Sequence, residues 1–251
     1  MPLTDFQSEV MLLLRERRSE ASHFAGGLVL NAPPDSPRYS HDFDMFHDKV
    51  ADLVKSSESD EKILKEAGYH IERMDNYGAW TDKDTFRKMK ATKDGNELQL
   101  DYAHDSAYRF FPIVEDEIMG WRLHLFDMAV NKALALSARS ETRDYVDIVQ
   151  LGKRYPLAAI CWAACGKDPG FSPLFLLKMM LRFAKIDPGE LDKIKAWELD
   201  PIELKKAWLE MADRADVQIC ELADTHIDMP IGAAFVDKDG QPGWYGDDPS
   251  L

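Results

Sequence analysis

Asp42-Phe43-Asp44-Met45 alternates acid and hydrophobe with a period of two, and Phe46 follows. That period belongs to a strand, on which residues two apart point to the same face. Phe43 and Met45 must then enter a core while Asp42 and Asp44 leave the opposite face together. The chain therefore needs a sheet with one buried and one polar side. Two carboxylates held a few ångströms apart repel each other and need a cation. Hard oxygen ligands of this kind suit Mg²⁺ or Mn²⁺. The alternative is a pair of exposed acids on an edge strand, and a D-x-D pattern alone does not choose between the two.

The rest of the chain supplies neighbours for that strand. Thr4 suits the cap of a first helix carrying Phe6, Val10, Leu13 and Leu14 at helical spacing. The basic run from Arg15 to Arg18 reads as a solvated helix end. Strands are expected near residues 21–25, 42–46, 69–74, 85–91 and 97–103. Lys93-Asp94-Gly95-Asn96 has the turn chemistry of a hairpin between the last two. In the second arm Leu98, Leu100 and Tyr102 share one face and Gln99, Asp101 and Ala103 the other. Asp101 thus projects on the side opposite the core residues, either as a third carboxylate or as a solvated hairpin acid. Residues 49–67 read as helical, with Ser56-Ser57-Glu58-Ser59-Asp60 separating two shorter helices.

From Met119 the pattern turns helical. One helix is expected through Ala138 and a second from about Glu141 to Tyr155, ended by Pro156. Asp187-Pro188-Gly189-Glu190 and Asp200-Pro201-Ile202-Glu203 are helix starts: a capping acid, Pro at the first helical position and Glu at the third. A helix from Ser172-Pro173 is expected to reach Lys185, and residues 247–251 to be loosely ordered. The fold class is therefore α+β, a small mixed sheet followed by a helical half. The domains are residues 1–118, residues 119–235 and a turn-rich tail of residues 236–251.

Gly26-Gly27 precedes the acidic strand. Glycines at a strand-to-helix junction let a backbone approach phosphate closely, or simply make a tight turn. The order Gly26-Gly27, then Arg38-x-Ser40-x-Asp42-x-Asp44, resembles the polymerase-β-like nucleotidyltransferase superfamily, and within it the AbiEii toxin-like family of type IV toxin–antitoxin systems. The resemblance continues downstream. Lys132-x-x-Ala135-Leu136-x-x-Arg139, then Arg143-Asp144-x-x-Asp147, is similar to that family's paired helical signature. Residues three and four apart share a helix face, and two helices joined by a short corner pack antiparallel, which brings Lys132 towards Asp144. A surface ion-pair network is the other reading of these charges. One departure stands out, because Leu28 occupies the position after the glycine pair where relatives carry a hydroxyl.

The resemblance covers roughly residues 20 to 155. It implies a metal-dependent nucleotidyltransferase with Mg²⁺ or Mn²⁺ held by Asp42, Asp44 and Asp101. It implies nucleotide contacts from Gly26, Gly27, Arg38, Ser40 and Lys132, and catalytic roles for Asp42, Asp44, Lys132 and Asp144. The implied partners are an NTP, a hydroxyl acceptor (an RNA end such as that of tRNA, a protein or a small molecule), and a cognate antitoxin if the chain is a toxin. The alternative is a nucleotide-binding or partner-binding protein that keeps the fold without turnover. The net charge of −14 disfavours a large nucleic-acid footprint but leaves room for a local contact. No apolar run is long enough to span a membrane. Three cysteines argue against a disulfide framework and for the cytoplasm.

Overall fold

In the computed structural model, which describes residues 3–74, 85–182, 186–237 and 239–244, Thr4 caps helix α1 (Asp5–Leu14) as its hydroxyl suggests. Its Oγ1 accepts from the Gln7 amide at 3.1 Å, and Gln7 Oε1 accepts from the Thr4 amide at 3.0 Å, so two amides at the helix start are satisfied reciprocally. The chain divides into two compact units, Met1–His124 and Leu125–Leu251.

The first unit holds a mixed sheet. Its strands are β1 (Ser22–Ala25), β2 (Asp42–His47), β3 (His70–Arg73), β4 (Phe86–Lys93), β5 (Asn96–His104), β6 (Val114–Asp116) and β7 (Gly120–Arg122), in the order β3-β4-β5-β2-β1-β7-β6. Short helix α2 (Gly26–Asn31) joins β1 to β2, which run antiparallel. Strand β2 pairs parallel with β5, and β4 and β5 form the expected hairpin. Asp94 and Gly95 at its tip have φ of 51° and 79°. Both central turn residues thus sit in the left-handed region, which matches the twist of the flanking strands.

Helix α3 (Val50–Glu66) packs against β1 to β5 on one side of the sheet. Phe24, Phe43, Met45, Leu98, Leu100 and Tyr102 are fully or almost fully buried, as are Leu53 and Leu64 of α3. Each such side chain contributes roughly 1.5–3 kcal/mol of burial.

Three expectations are corrected. Helix α3 is continuous, so Ser56 to Asp60 do not break it. Ser57, Asp60 and Glu61 lie on its buried side. Asp60 carboxylate oxygens accept from Arg18 Nη2 at 2.7 and 2.6 Å, and Tyr102 Oη donates to the same carboxylate at 3.0 Å. The same pair corrects the second expectation: the Arg18 side chain is not solvated but has no exposed surface, nor has that of Asp60. Third, Gly120–Arg122 is a strand beside β1 rather than the start of a helix. Gly120 has φ of 74°, and the Leu123 amide donates to the Phe24 carbonyl, which ties this segment to the sheet.

The second unit is helical: α4 (Leu125–Ala138), α5 (Thr142–Gly152), α6 (Leu157–Lys167), α7 (Pro173–Arg182), α8 (Pro188–Ile194) and α9 (Pro201–Thr225). Asp187 and Asp200 cap α8 and α9 as read from their sequences, and Pro follows each cap. Trp162 and Trp208 are core residues, whereas Trp197 is 55% exposed. Cys161, Cys165 and Cys220 are free thiols. The expected end of α7 at Lys185 and the tail at residues 247–251 fall outside the described residues. Among the described residues no helix is long and apolar enough to cross a membrane.

Candidate metal and nucleotide site

Strand β2 alternates as its sequence requires. Phe43 and Met45 have no exposed surface, while Asp42 and Asp44 are half-buried on the other face. Parallel pairing with β5 sets Asp44 beside Asp101 and Asp42 beside Gln99. Register partners share a face, so the hairpin acid joins the two acids of β2. Each of Asp42, Asp44 and Asp101 offers an oxygen within 4.8 Å of the others.

Asp101 has well-defined surroundings. Its Oδ2 accepts from Gln99 Nε2 at 3.0 Å and lies 3.5 Å from Lys88 Nζ. Its Oδ1 is buried and has no hydrogen-bond partner among the described residues. Burial raises the Asp101 carboxyl above its ordinary range; the Lys88 ammonium opposes that shift and the Asp42 charge adds to it. An ionised oxygen buried without a donor is costly. A hard divalent cation is the ligand that would satisfy this set, because all three donors are carboxylates.

The glycine pair is built against the same cluster. Gly26 has φ of 64°, and a Cβ there would run into the Asp44 carboxylate. A Cβ on Gly27 would sit 2.8 Å from Arg38 Nη2 and 3.0 Å from Ser40 Oγ. Thus Gly26, Gly27, Arg38, Ser40 and Asp44 occupy one neighbourhood. The connection from α2 to β2 is pinned from several sides. Asn31 Nδ2 donates to the Gly27 carbonyl at 2.8 Å, Ser36 Oγ to Asn31 Oδ1 at 2.6 Å, and Gln7 Nε2 to the Ser40 carbonyl at 2.6 Å. Ser40 Oγ itself donates to Asp42, at 3.3 Å to its carbonyl and 3.4 Å to Oδ1. Arg38 is buried and its Nη1 donates to the Tyr39 carbonyl at 2.7 Å. Leu28 is fully buried in the core, so that position offers a ligand nothing.

In the second unit Lys132 of α4 meets α5 as the antiparallel packing implied. Its Nζ lies 2.9 Å from Asp144 Oδ1 and 2.7 Å from Asp147 Oδ2. Arg139 Nε lies 2.8 Å from the other Asp144 oxygen. The Asp144 and Asp147 side chains are 0% and 1% exposed and that of Lys132 is 11% exposed, so this is a buried network and not a surface pair. Burial alone would raise the Asp144 carboxyl; Lys132 and Arg139 outweigh it and hold the group below its usual range. A second buried pair joins α6 to α4, with Lys167 Nζ 3.0 Å from Asp127 Oδ1 and 3.0 Å from Asn131 Oδ1.

Sequence reasoning put Gln99 on the face of Asp101 but missed Lys88 beside the carboxylates. A signal was present: counting back from the Asp94-Gly95 turn places Lys88 opposite Asp101, as observed.

No protein-family model matches the chain, and no curated protein does. Among solved structures the chain is similar to JHP933 of Helicobacter pylori, with 19% identity and a TM-score of 0.53 over 89% of this chain and 97% of that one. It is equally similar to an H. pylori protein named as a candidate nucleotidyltransferase, with 20% identity and a TM-score of 0.53 over 88% of this chain and 99% of that one. MenT4, a nucleotidyltransferase toxin of Mycobacterium tuberculosis, aligns with 12% identity and a TM-score of 0.49 over 82% of this chain and 91% of that one. The two H. pylori structures show the fold that this chain shares.

Proposed function

We propose that the protein is a metal-dependent nucleotidyltransferase that moves an NMP from an NTP to a hydroxyl acceptor. The observation that carries this reading is the trio Asp42, Asp44 and Asp101, with a buried Asp101 oxygen that no described group satisfies. The shared fold with an H. pylori protein named as a candidate nucleotidyltransferase supports it. Asp42, Asp44 and Asp101 would hold Mg²⁺ or Mn²⁺. Bound there, the cation would neutralise charge on the triphosphate and on the departing pyrophosphate.

The chain's own residues divide the remaining work. Gly26 and Gly27 bring bare backbone close to Asp44, Arg38 and Ser40, and the sequence resemblance assigns the two glycines, Arg38 and Ser40 to the nucleotide. The sequence resemblance assigns Lys132 to the triphosphate as a point cation; its ammonium is paired with Asp144 and Asp147. The same resemblance assigns Asp144 to the acceptor; Lys132 and Arg139 hold its carboxyl below the usual range, which disfavours it as a base. In the transfer the acceptor oxygen forms a bond to the α-phosphorus, the bond from that phosphorus to the bridging oxygen of pyrophosphate breaks, and the hydroxyl proton leaves to solvent. By the sequence resemblance, the acceptor is an RNA end, a protein or a small molecule, and the chain is the toxin of a toxin–antitoxin pair. A second reading, nucleotide binding without turnover, draws on Leu28, whose burial leaves the phosphate neighbourhood without the hydroxyl found in relatives.

The test is incubation with each radiolabelled NTP, Mg²⁺ and total cellular RNA, with wild type beside Asp42→Asn and Asp44→Asn. Labelled product with wild type alone, from variants that fold normally, is the expected result. Metal-dependent NTP binding without product favours the second reading. Variants that bind Mg·NTP as the wild type does would show that the metal site is misplaced.

A further inference from the structure

Asp101 presents two chemically distinct oxygens. Oδ2 receives both available donors, Gln99 Nε2 at 3.0 Å and Lys88 Nζ at 3.5 Å, while buried Oδ1 receives none among the described residues. The donors come from two directions. Gln99 is two residues back on β5 and so shares the face of Asp101, and Lys88 stands directly opposite it on β4. The backbone around them is among the most regular in the unit, a continuous antiparallel ladder from Phe86↔Ala103 to Lys93↔Asn96. Rotation of the carboxylate would break the Gln99 bond and carry Oδ2 away from Lys88. Its other oxygen, Oδ1, is left without a donor among the described residues, and one carboxylate oxygen from each of Asp42, Asp44 and Asp101 lies within 4.8 Å of the others.

We infer that Lys88 and Gln99 are positioning residues for the metal site, clamping Asp101 through Oδ2 so that Oδ1 is held ready for a divalent cation. The inference rests on the metal-site reading given above. Partners of this kind orient a ligand, and their loss typically costs about 10–100-fold in metal affinity.

Lys88 makes the inference sharply testable, because its charge and its hold on Oδ2 act in opposite directions. As a charge alone, an ammonium beside three carboxylates repels a cation, so removing it should tighten metal binding. As a clamp, removing it should loosen binding. Gln99 carries no charge and tests the clamp by itself.

The experiment is titration of the full chain with Mn²⁺ alone, followed by electron paramagnetic resonance, for wild type, Lys88→Met, Lys88→Arg and Gln99→Leu. Thermal unfolding of the metal-free proteins serves as the fold control. The expected results are a Kd raised about tenfold or more in Lys88→Met and Gln99→Leu, an altered spectrum of the bound ion, and substantial recovery in Lys88→Arg. Tighter binding by Lys88→Met, or unchanged binding by Gln99→Leu, overturns the clamp while leaving the metal site standing. Should Lys88→Met fail to fold, Gln99→Leu still decides. Failure of the wild type to bind Mn²⁺ overturns the metal site itself, and the clamp with it.

Discussion

Gly26 shows how tightly single residues constrain the site. Its φ of 64° belongs to the left-handed region, and its missing Cβ is the space that the Asp44 carboxylate fills. Ala in that conformation costs roughly 1–2 kcal/mol, and the new methyl also pushes Asp44 out of the cluster. Gly26→Ala is therefore expected to lose about that much stability in urea unfolding and to weaken Mn²⁺ binding. Gly27→Ala should spare Mn²⁺ and act on nucleotide, because its methyl meets the ends of Arg38 and Ser40 instead. Equal effects of both variants on Mn²⁺ would contradict this division. Two histidines add a pH dependence. Burial, with the Arg18 charge, pushes His47 down to about 4, and burial, with the Arg109 charge, pushes His23 down to about 3. The folded state holds both rings neutral while the unfolded chain takes up protons near pH ~6.5. Their contribution is complete above that value and is lost as pH falls from it towards about 4 for His47 and about 3 for His23. At about 1.4 kcal/mol per pKa unit, each histidine is worth on the order of a few kcal/mol. Urea unfolding across this window should show stability falling with acid, and His47→Gln should flatten the fall; an unchanged slope would remove His47 from the account.

At the scale of elements, what the sequence discloses follows the range of the interactions involved. Strand β2 is legible because alternation is local, and the β4–β5 hairpin because Asp94-Gly95 dictates its own turn. The pairing of Lys132 with Asp144 across a short corner is legible for the same reason. Helix α3 reads as two in the sequence because Ser57, Asp60 and Glu61 look like a solvated break. Their partners are far away in sequence: Arg18 reaches Asp60, Arg73 reaches Glu61 and Arg87 reaches Ser57. Strands β6 and β7 are three residues each and too short for any period to register. Burial also changes what the helical signature implies. A surface ion pair would contribute only ~0–1 kcal/mol, but Lys132 bridges two carboxylates that are almost fully enclosed. Lys132→Ala removes the cation shared by both, leaving Asp144 with Arg139, and the expected loss is about 3–5 kcal/mol. Its effect on NTP binding must therefore be read at a temperature where the variant remains folded. Asp144→Asn keeps the shape and a hydrogen-bonding oxygen, and Lys132 keeps Asp147. That variant should bind NTP as the wild type does yet fail in transfer, as a kinetic comparison at saturating NTP would reveal. Full transfer by Asp144→Asn would assign the network to stability alone.

At the scale of the whole molecule, the division at His124 and Leu125 separates two kinds of chemistry. Asp42, Asp44 and Asp101 all belong to the first unit, as do Gly26, Lys88 and Gln99 around them. Lys132 and Asp144 belong to the second. The first unit also has the means to fold alone. Its sheet is complete within residues 22–122, and α3 covers one face with a core of Phe24, Phe43, Leu100 and Tyr102. A domain of this length buries enough apolar surface for independent stability. The fragment of residues 1–124 is thus expected to unfold cooperatively in urea and to bind Mn²⁺ with the Kd of the full chain. A fragment that unfolds cooperatively but does not bind Mn²⁺ would mean that the three carboxylates do not suffice.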